Sequence, residues 1–289
     1  MKKNTLEKHT KLANNIMYYI YKYIDTDINL DELCIELDVS RFHMHRIFKE
    51  EFGQNIYETI KSIRLQKASL LLLTNKNSTI TDIAKMCGYG SQAAFMRVFK
   101  QKFEMTPKQW RKGEYKKFTN DILIKSESAS NALVDFSNLM PSILKMSPMK
   151  AYYIRHKGYG KSIRNTWQKL HTWLLCNNIE NYTQLGLHHD NPTITPLDEC
   201  RYNACIVVDD ELKNETLPSF IIPGGVYARF DFEGKYGDIL KFMHWVYFEW
   251  LINSGYETTT NPSYAIYKKN HFLDSDEKFI VSYYIPIRL

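Results

Sequence analysis

A chain of 289 residues, 44% hydrophobic and 24% charged, has the composition of a folded globular protein and room for two domains of ordinary size. That balance excludes a disordered or fibrous chain, and the lack of any run of about 18 apolar residues excludes a membrane-spanning helix. The net charge of +6 joins two unlike halves: residues 1–118 carry 21 Lys+Arg against 13 Asp+Glu, giving +8, and the remainder carries 17 against 19, giving −2. A basic half joined to a slightly acidic, Tyr-rich half implies a polyanion-binding module attached to a unit of another kind. Met1-Lys2-Lys3 leads into polar sequence at residues 4–11, so no secretion signal is expected. The five cysteines (Cys34, Cys87, Cys176, Cys200, Cys205) are odd in number and form no C-x-x-C pair, which suits reduced thiols in a cytoplasmic protein.

In chain order, Leu12, Ile16, Tyr19, Ile20 and Tyr23 fall on one face of an opening helix. Asn29 with Glu32 three residues on predicts a capped short helix from about Leu30. Over residues 41–51, Met44, Ile47, Phe48 and Phe52 form an apolar stripe, while Phe42, Arg46 and Lys49 point away and His45 lies at the edge. Residues 55–73 read as one unbroken helix, with Ile56, Ile60, Ile63, Leu70 and Leu73 apolar. The pattern then repeats. Thr79 and Asp82 start another short helix; Phe95, Val98, Phe99 and Phe103 make its partner's stripe; Ala93, Arg97 and Lys100 point away, with Met96 at the edge. Arg46, Phe48, Lys49 and Phe52 recur as Arg97, Phe99, Lys100 and Phe103, displaced by one extra residue near Gly90. Thr106-Pro107 opens a last helix expected to end near Lys117.

Two equivalent basic helices joined by a strut imply two contacts with one duplex. About nineteen helical residues span roughly 29 Å, against roughly 34 Å between successive major grooves on one face of DNA. Arginine can fork onto guanine or grip phosphate, and an outward Phe42 suits a thymine methyl. The candidate DNA-binding residues are Arg41, Phe42, His45, Arg46 and Lys49 in the first copy, and Gln92, Ala93, Met96, Arg97 and Lys100 in the second. A single chain reaching both grooves makes a monomer the default expectation.

The run Ile83-Ala84, Cys87-Gly88-Tyr89, Ser91-Gln92, Phe95-Met96-Arg97-Val98-Phe99-Lys100, Phe103, Thr106-Pro107, Trp110-Arg111 resembles the DNA-binding domain of AraC/XylS-family transcriptional regulators, over residues 8–117. The resemblance implies base-reading positions at Phe42, His45 and Arg46, and at Gln92, Ala93, Ala94 and Arg97. It also implies double-stranded promoter DNA and RNA polymerase as partners. That family often has polar side chains where Ala93 and Ala94 stand, so the second helix is expected to discriminate sequence less than the first.

Residues 118–145 are polar and Ser-rich and read as a linker. The rest repeats internally at a spacing of 77: Tyr159-Gly160 recurs as Tyr236-Gly237, and Trp173-Leu174 as Trp250-Leu251. Each copy has a β-rich run, a glycine turn, a helix with two tryptophans and a return strand. The expected architecture is therefore multidomain, with an all-α double helix-turn-helix domain (1–117), a linker (118–145) and an α+β domain of duplicated strand-helix-strand units (146–289) with pseudo-twofold symmetry.

Several motifs, Arg155-His156-x-Gly158, Gly186-Leu187-His188-His189-Asp190-x-Pro192, Cys200-Arg201-Tyr202, Ile222-Pro223-Gly224-Gly225, Ser254-Gly255-Tyr256 and Tyr284-x-Pro286, are similar to the GyrI-like small-molecule-binding domain. That likeness implies a small-molecule effector. The family commonly carries a carboxylate within a Phe-Glu-x-Tyr strand, and here the strand reads Tyr264-Ala265-Ile266-Tyr267; a second acidic position corresponds to Ser282. Without those carboxylates, aromatic faces contribute only ~0.5–2 kcal/mol to holding a cation, so the expected ligand is neutral or mostly apolar. Candidate ligand-binding residues are Trp167, Trp245, Glu249, Ala265, Tyr267, Ser282 and Tyr284. Hydrolysis of a small molecule or docking of a protein partner are the other readings of this domain. Adjacent strand residues His188 and His189 point to opposite faces, so no shared metal is expected, nor any cofactor or catalytic residue.

Overall fold

The computed structural model describes residues 3–208 and 217–289; Met1 and Lys2, which open the stretch weighed as a secretion signal, lie outside them. The chain folds as two compact units, Met1–Lys112 and Gly113–Leu289. Among the described residues no helix is long and apolar enough to cross a membrane.

The first unit is helical: α1 (Lys3–Tyr23), α2 (Leu30–Glu36), α3 (Arg41–Phe52), α4 (Ile56–Thr74), α5 (Ile80–Met86), α6 (Gln92–Phe103) and the one-turn α7 (Pro107–Gln109). Polar caps start them. Asn29 accepts from the Asp31 and Glu32 amides, Ser40 from His43, Asn55 from Glu58 and Ser91 from Ala94. Thr79–Asp82 and Thr106–Gln109 are reciprocal capping boxes. Each satisfies amides that a helix start would otherwise leave orphaned. Ile16, Ile20, Leu33, Met44, Phe48 and Ile60 pack the first core. Phe99 and Phe103 pack on Trp110 in the second, with ring centroids 5.8 and 4.6 Å away.

Helix α4 is tied to both copies by side chains that reach backbone carbonyls. Arg64 donates to Ile24 O (3.0 Å) and Thr26 O (2.6 Å), at the end of α1. Lys67 donates to Met86 O (3.0 Å) at the end of α5 and pairs with Asp25. Trp110 Nε1 donates to Ser69 O (2.8 Å), and Arg111 donates to Leu72 O (3.1 Å) and Ser78 O (2.9 Å). The spacer between the two helix pairs is thus fixed at both ends.

The second unit begins at Gly113, a few residues ahead of the stretch read as a linker, and takes in all of that stretch. The helix opened by Thr106 is interrupted at Gly113, in the left-handed region at φ +107, and does not stop near Lys117 as expected. It resumes as α8 (Tyr115–Ile124), followed by α9 (Glu127–Ser130) and β1 (Ser142–Met146). The residues that fold it are apolar ones scattered among the serines. Tyr115, Thr119 and Ile122 make a buried stripe at helical spacing, and Phe136 packs on Phe232 and Phe242. The remaining elements are β2 (Met149–Lys157), α10 (Ile163–Cys176), β3 (Thr183–His188), β4 (Arg201–Val207), β5 (Ser219–Ile222), β6 (Gly225–Lys235), α11 (Asp238–Trp245), a π-type turn (Val246–Trp250), α12 (Leu251–Ser254), β7 (Glu257–Thr258), β8 (Ser263–Lys269) and β9 (Lys278–Arg288).

The strands form an antiparallel sheet in the order β1-β6-β9-β8-β3-β4-β2-β5, with β7 on β9. The order is symmetric about β3–β8, so β4, β2 and β5 match β9, β6 and β1; this is the duplicated α+β architecture. Strands β1 and β5 are additions that the repeat did not reveal. Each crosses over: β1 leads into β2 yet pairs with β6, and β5 leads into β6 yet pairs with β2. The crossovers curl the sheet, and Gly224 permits the close meeting, since a Cβ there would lie 2.7 Å from Met146 O. Ala151, Tyr153, Leu185, Leu187, Cys205, Ile222, Tyr227, Tyr264 and Tyr284, drawn from seven strands, fill the inside of the curl. Helices α10 and α11 cover the other face.

Candidate nucleic-acid interface and ligand site

On α3 the cap and stripe fix which side chains reach solvent. Met44, Ile47 and Phe48 are buried, leaving Arg41, Phe42, Arg46 and Lys49 exposed and His45 half-buried. Phe42 is 80% exposed, although burying such a ring normally gains about 1.5–3 kcal/mol. Arg41 is held by Asp31 (3.1 Å) and by the Tyr57 hydroxyl (2.6 Å), and His45 stacks on Tyr57 at 5.4 Å. Burial, and then the Arg41 charge, hold His45 below its ordinary pKa, so at neutral pH it offers hydrogen bonds rather than charge. Arg46 bridges Glu50 and His43 Nδ1, both at 3.2 Å.

On α6 the buried residues are Phe95, Phe99 and Phe103, and Gln92, Ala93, Met96, Arg97 and Lys100 are exposed. Gln92 accepts from Thr81 (2.7 Å), on the preceding helix. Among the described residues the Lys49, Arg97 and Lys100 side chains engage no acceptor. The two helices therefore present the same register, but the first carries a network of Arg41, Arg46, His45 and Tyr57, and the second carries bare cations and two alanines.

The seven candidate ligand residues of the second unit do not converge on one place. Alternation along the strands divides them. Ala265 and Tyr267 lie on the helix-covered face, with the Tyr267 ring 5.8 Å from that of Trp167. Ser282 and Tyr284 lie on the opposite face: Tyr284 stacks on Tyr264 at 4.7 Å inside the curl, and Ser282 donates to Asp231 at 2.5 Å. Trp245 is packed among Phe136, Phe230 and Phe242. Glu249, in the π-type turn after α11, is exposed and near Tyr115, whose phenol is pushed up by burial and then by the Glu249 charge. Of the seven, Trp167, Ala265 and Tyr267 share one face.

That group has members the sequence reading passed over. Gly186 pairs with Ala265, and a Cβ on it would lie 2.3 Å from Tyr202 Oη. Two small side chains therefore admit a phenol, and Tyr202 Oη accepts from Trp167 Nε1 at 3.1 Å. The hydroxyl of Tyr202 lies beside the position where the family's carboxylate would stand. His188, two residues along the same face, is ringed by Tyr159, Tyr202 and Tyr283. Its neighbour His189 turns the other way, to Asn203 (3.1 Å). The available signal was the strand alternation itself, which places His188 on the same face as Gly186.

The loop beyond them is fastened by Asp190, 4% exposed, which accepts from Arg201 Nε (2.7 Å), its terminal nitrogen (2.7 Å) and its backbone amide (2.9 Å).

Residues 33–113 match the model of a helix-turn-helix domain, and residues 139–288, more than half the chain, match the GyrI-like small molecule binding domain. The chain is 35% identical over 106 residues to the probable transcription factor PqrA of Proteus vulgaris, covering 35% of this chain and 86% of that protein. It is 32% identical over 103 residues to the regulatory protein SoxS of Escherichia coli, covering 36% and 95% respectively. It is 37% identical over 95 residues to the xylose operon regulatory protein of Escherichia coli, covering 33% of this chain and 24% of that protein, so it spans about a quarter of this last relative. With both units matched, the chain belongs to the AraC-type helix-turn-helix regulators that carry a GyrI-like small molecule binding domain.

Proposed function

We propose that this protein is a sequence-specific DNA-binding transcription regulator whose second unit senses a small neutral ligand. The observation that carries the reading is the pair of capped helices, α3 and α6, holding equivalent basic residues outward on either side of a clamped spacer. In it, α3 reads bases through Phe42, His45 and Arg46, with Arg41 and Lys49 on phosphates. Helix α6 contributes Gln92, Ala93, Met96, Arg97 and Lys100, with fewer base-reading groups. The protein works in the cytoplasm as a monomer on promoter DNA and meets RNA polymerase there. Its second unit binds without turnover. Tyr202 and Ala265 near the family's carboxylate position favour a neutral ligand over a cation.

Binding-site selection on the intact protein tests the first part. The expected product has two elements about one helical turn apart. Arg46→Ala is expected to relax one element at a cost of about 1–3 kcal/mol, and Arg97→Ala to relax the other by less. Recovery of no common sequence overturns the DNA reading, and equal losses overturn the ranking of the two helices.

A further inference from the structure

His188 is only 4% exposed, and neither of its ring nitrogens has a hydrogen-bond partner among the described residues. Three phenol rings surround it, with centroids 5.6 Å (Tyr159), 5.3 Å (Tyr202) and 5.6 Å (Tyr283) away, and all three hydroxyls are turned elsewhere. Tyr202 Oη takes the Trp167 indole proton, Tyr283 Oη is bonded to Ser263 Oγ (3.0 Å), and Tyr159 Oη points to Met243 Sδ (3.9 Å). The imidazole is therefore walled by ring faces and keeps its polar edge unmet. Burial pulls its pKa down to about 3, against a smaller opposing effect of the Ser263 backbone. It is neutral at physiological pH, with one N–H and one lone pair to offer. Buried polar groups are rarely left unsatisfied, and such an orphan calls for a reason.

Place supplies the reason. Gly186, the register partner of Ala265, lies two residues before His188 on the same strand, and His188 itself pairs with Ser263. Of the surrounding residues, Tyr202 and Tyr283 are fully buried, and Tyr159, on the turn before α10, is half-buried. We propose that His188 is the polar anchor for a small aryl alcohol or similar neutral hydroxyl-bearing ligand, which enters past Tyr159 and lies against the phenol faces. The ligand's hydroxyl donates to the bare imidazole nitrogen, and its apolar body takes the ring faces. This rests on reading the second unit as a small-molecule binder and adds the ligand's chemical class.

The test uses the intact protein with three probes: 2-naphthol, its methyl ether 2-methoxynaphthalene, and tetraphenylphosphonium, each followed by tryptophan fluorescence. Naphthol is expected to bind about tenfold more tightly than its ether, the difference made by one hydrogen bond to a buried group. The preference is expected to vanish in His188→Phe and to survive in His188→Gln. Should His188→Phe fail to fold, the imidazole nitrogen resonances of the native protein decide: they are expected to move with naphthol and stay with the ether. Equal affinity for naphthol and ether, or a preference that survives His188→Phe, overturns the anchor while leaving a ligand-binding unit intact. Binding of tetraphenylphosphonium alone overturns the neutral class, and binding of no probe overturns both readings.

Discussion

Gly53 and Gly88 both adopt left-handed backbone, at φ +69 and +73, in surroundings that differ in one respect. A Cβ on Gly53 meets nothing within 4 Å. A Cβ on Gly88 would lie 2.7 Å from the Arg64 guanidinium and 2.9 Å from Ile24 O. Left-handed backbone costs an L-residue roughly 1–2 kcal/mol, partly offset by the ~0.4–1 kcal/mol that alanine gains by restricting the unfolded chain. Gly53→Ala is therefore expected to cost about 1 kcal/mol. Gly88→Ala must also displace Arg64 from Ile24 O and Thr26 O. Bonds to a charged donor are worth about 1.5–3 kcal/mol each, and the lower end applies because water can reach part of this guanidinium. The expected total is about 3–5 kcal/mol, a large fraction of a typical 5–15 kcal/mol. Pulsed alkylation in denaturant, resolved by mass spectrometry at buried Cys87, reports opening of the first unit alone. Equal midpoint shifts for the two variants would refute the claim that the Arg64 contact, rather than the backbone angle, dominates.

Asp190→Ala leaves the buried Arg201 guanidinium without its carboxylate and is expected to destabilise the second unit by about 3–5 kcal/mol in urea denaturation; a loss below about 1 kcal/mol would show the pair to be incidental. His188 and His271, each 4% exposed, have pKa values pulled down to about 3 by burial, well below the unfolded value. Their stabilising effect is complete above about pH 6.5 and falls by about 1.4 kcal/mol per pH unit per histidine as the pH drops toward 3. Thermal melts between pH 7 and 4 read this slope, and stability that holds flat through that range contradicts it. Gly237 (φ +102) faces Ser128, whose carbonyl a Cβ would approach to 2.6 Å. Gly237→Ala is accordingly expected to loosen α9 from α11 and raise hydrogen exchange over residues 115–130. Unchanged protection there would mean that this stretch is held by other contacts.

Much of the first unit was legible because its signals are local. Caps such as Asn29, Thr79 and Thr106 and the stripes Met44/Ile47/Phe48 and Phe95/Phe99/Phe103 lie within a few residues of what they determine. The repeat of that pattern exposed two equivalent helices and their outward faces. What holds the spacer was not legible, because Arg64, Lys67, Trp110 and Arg111 act on carbonyls up to 41 residues away. The 77-residue repeat likewise announced a duplicated α+β unit but concealed the crossing of β1 and β5, whose partners are long-range.

In residues 118–145 the serines masked Thr119 and Ile122, which continue a buried stripe from Tyr115 whose partners, such as Phe248 and His244, are distant in sequence. For the ligand site, sequence named Trp167, Ala265 and Tyr267 together with Ser282 and Tyr284. Only the sheet could separate them, because side chains one residue apart face opposite layers and the register of β8 on β3 and β9 decides which layer is which. Periodicity and capping are properties of a short stretch of chain, so they can be read directly. A bare imidazole among three phenols is a property of three strands and a turn meeting in space, and it exists only once the chain has closed around it.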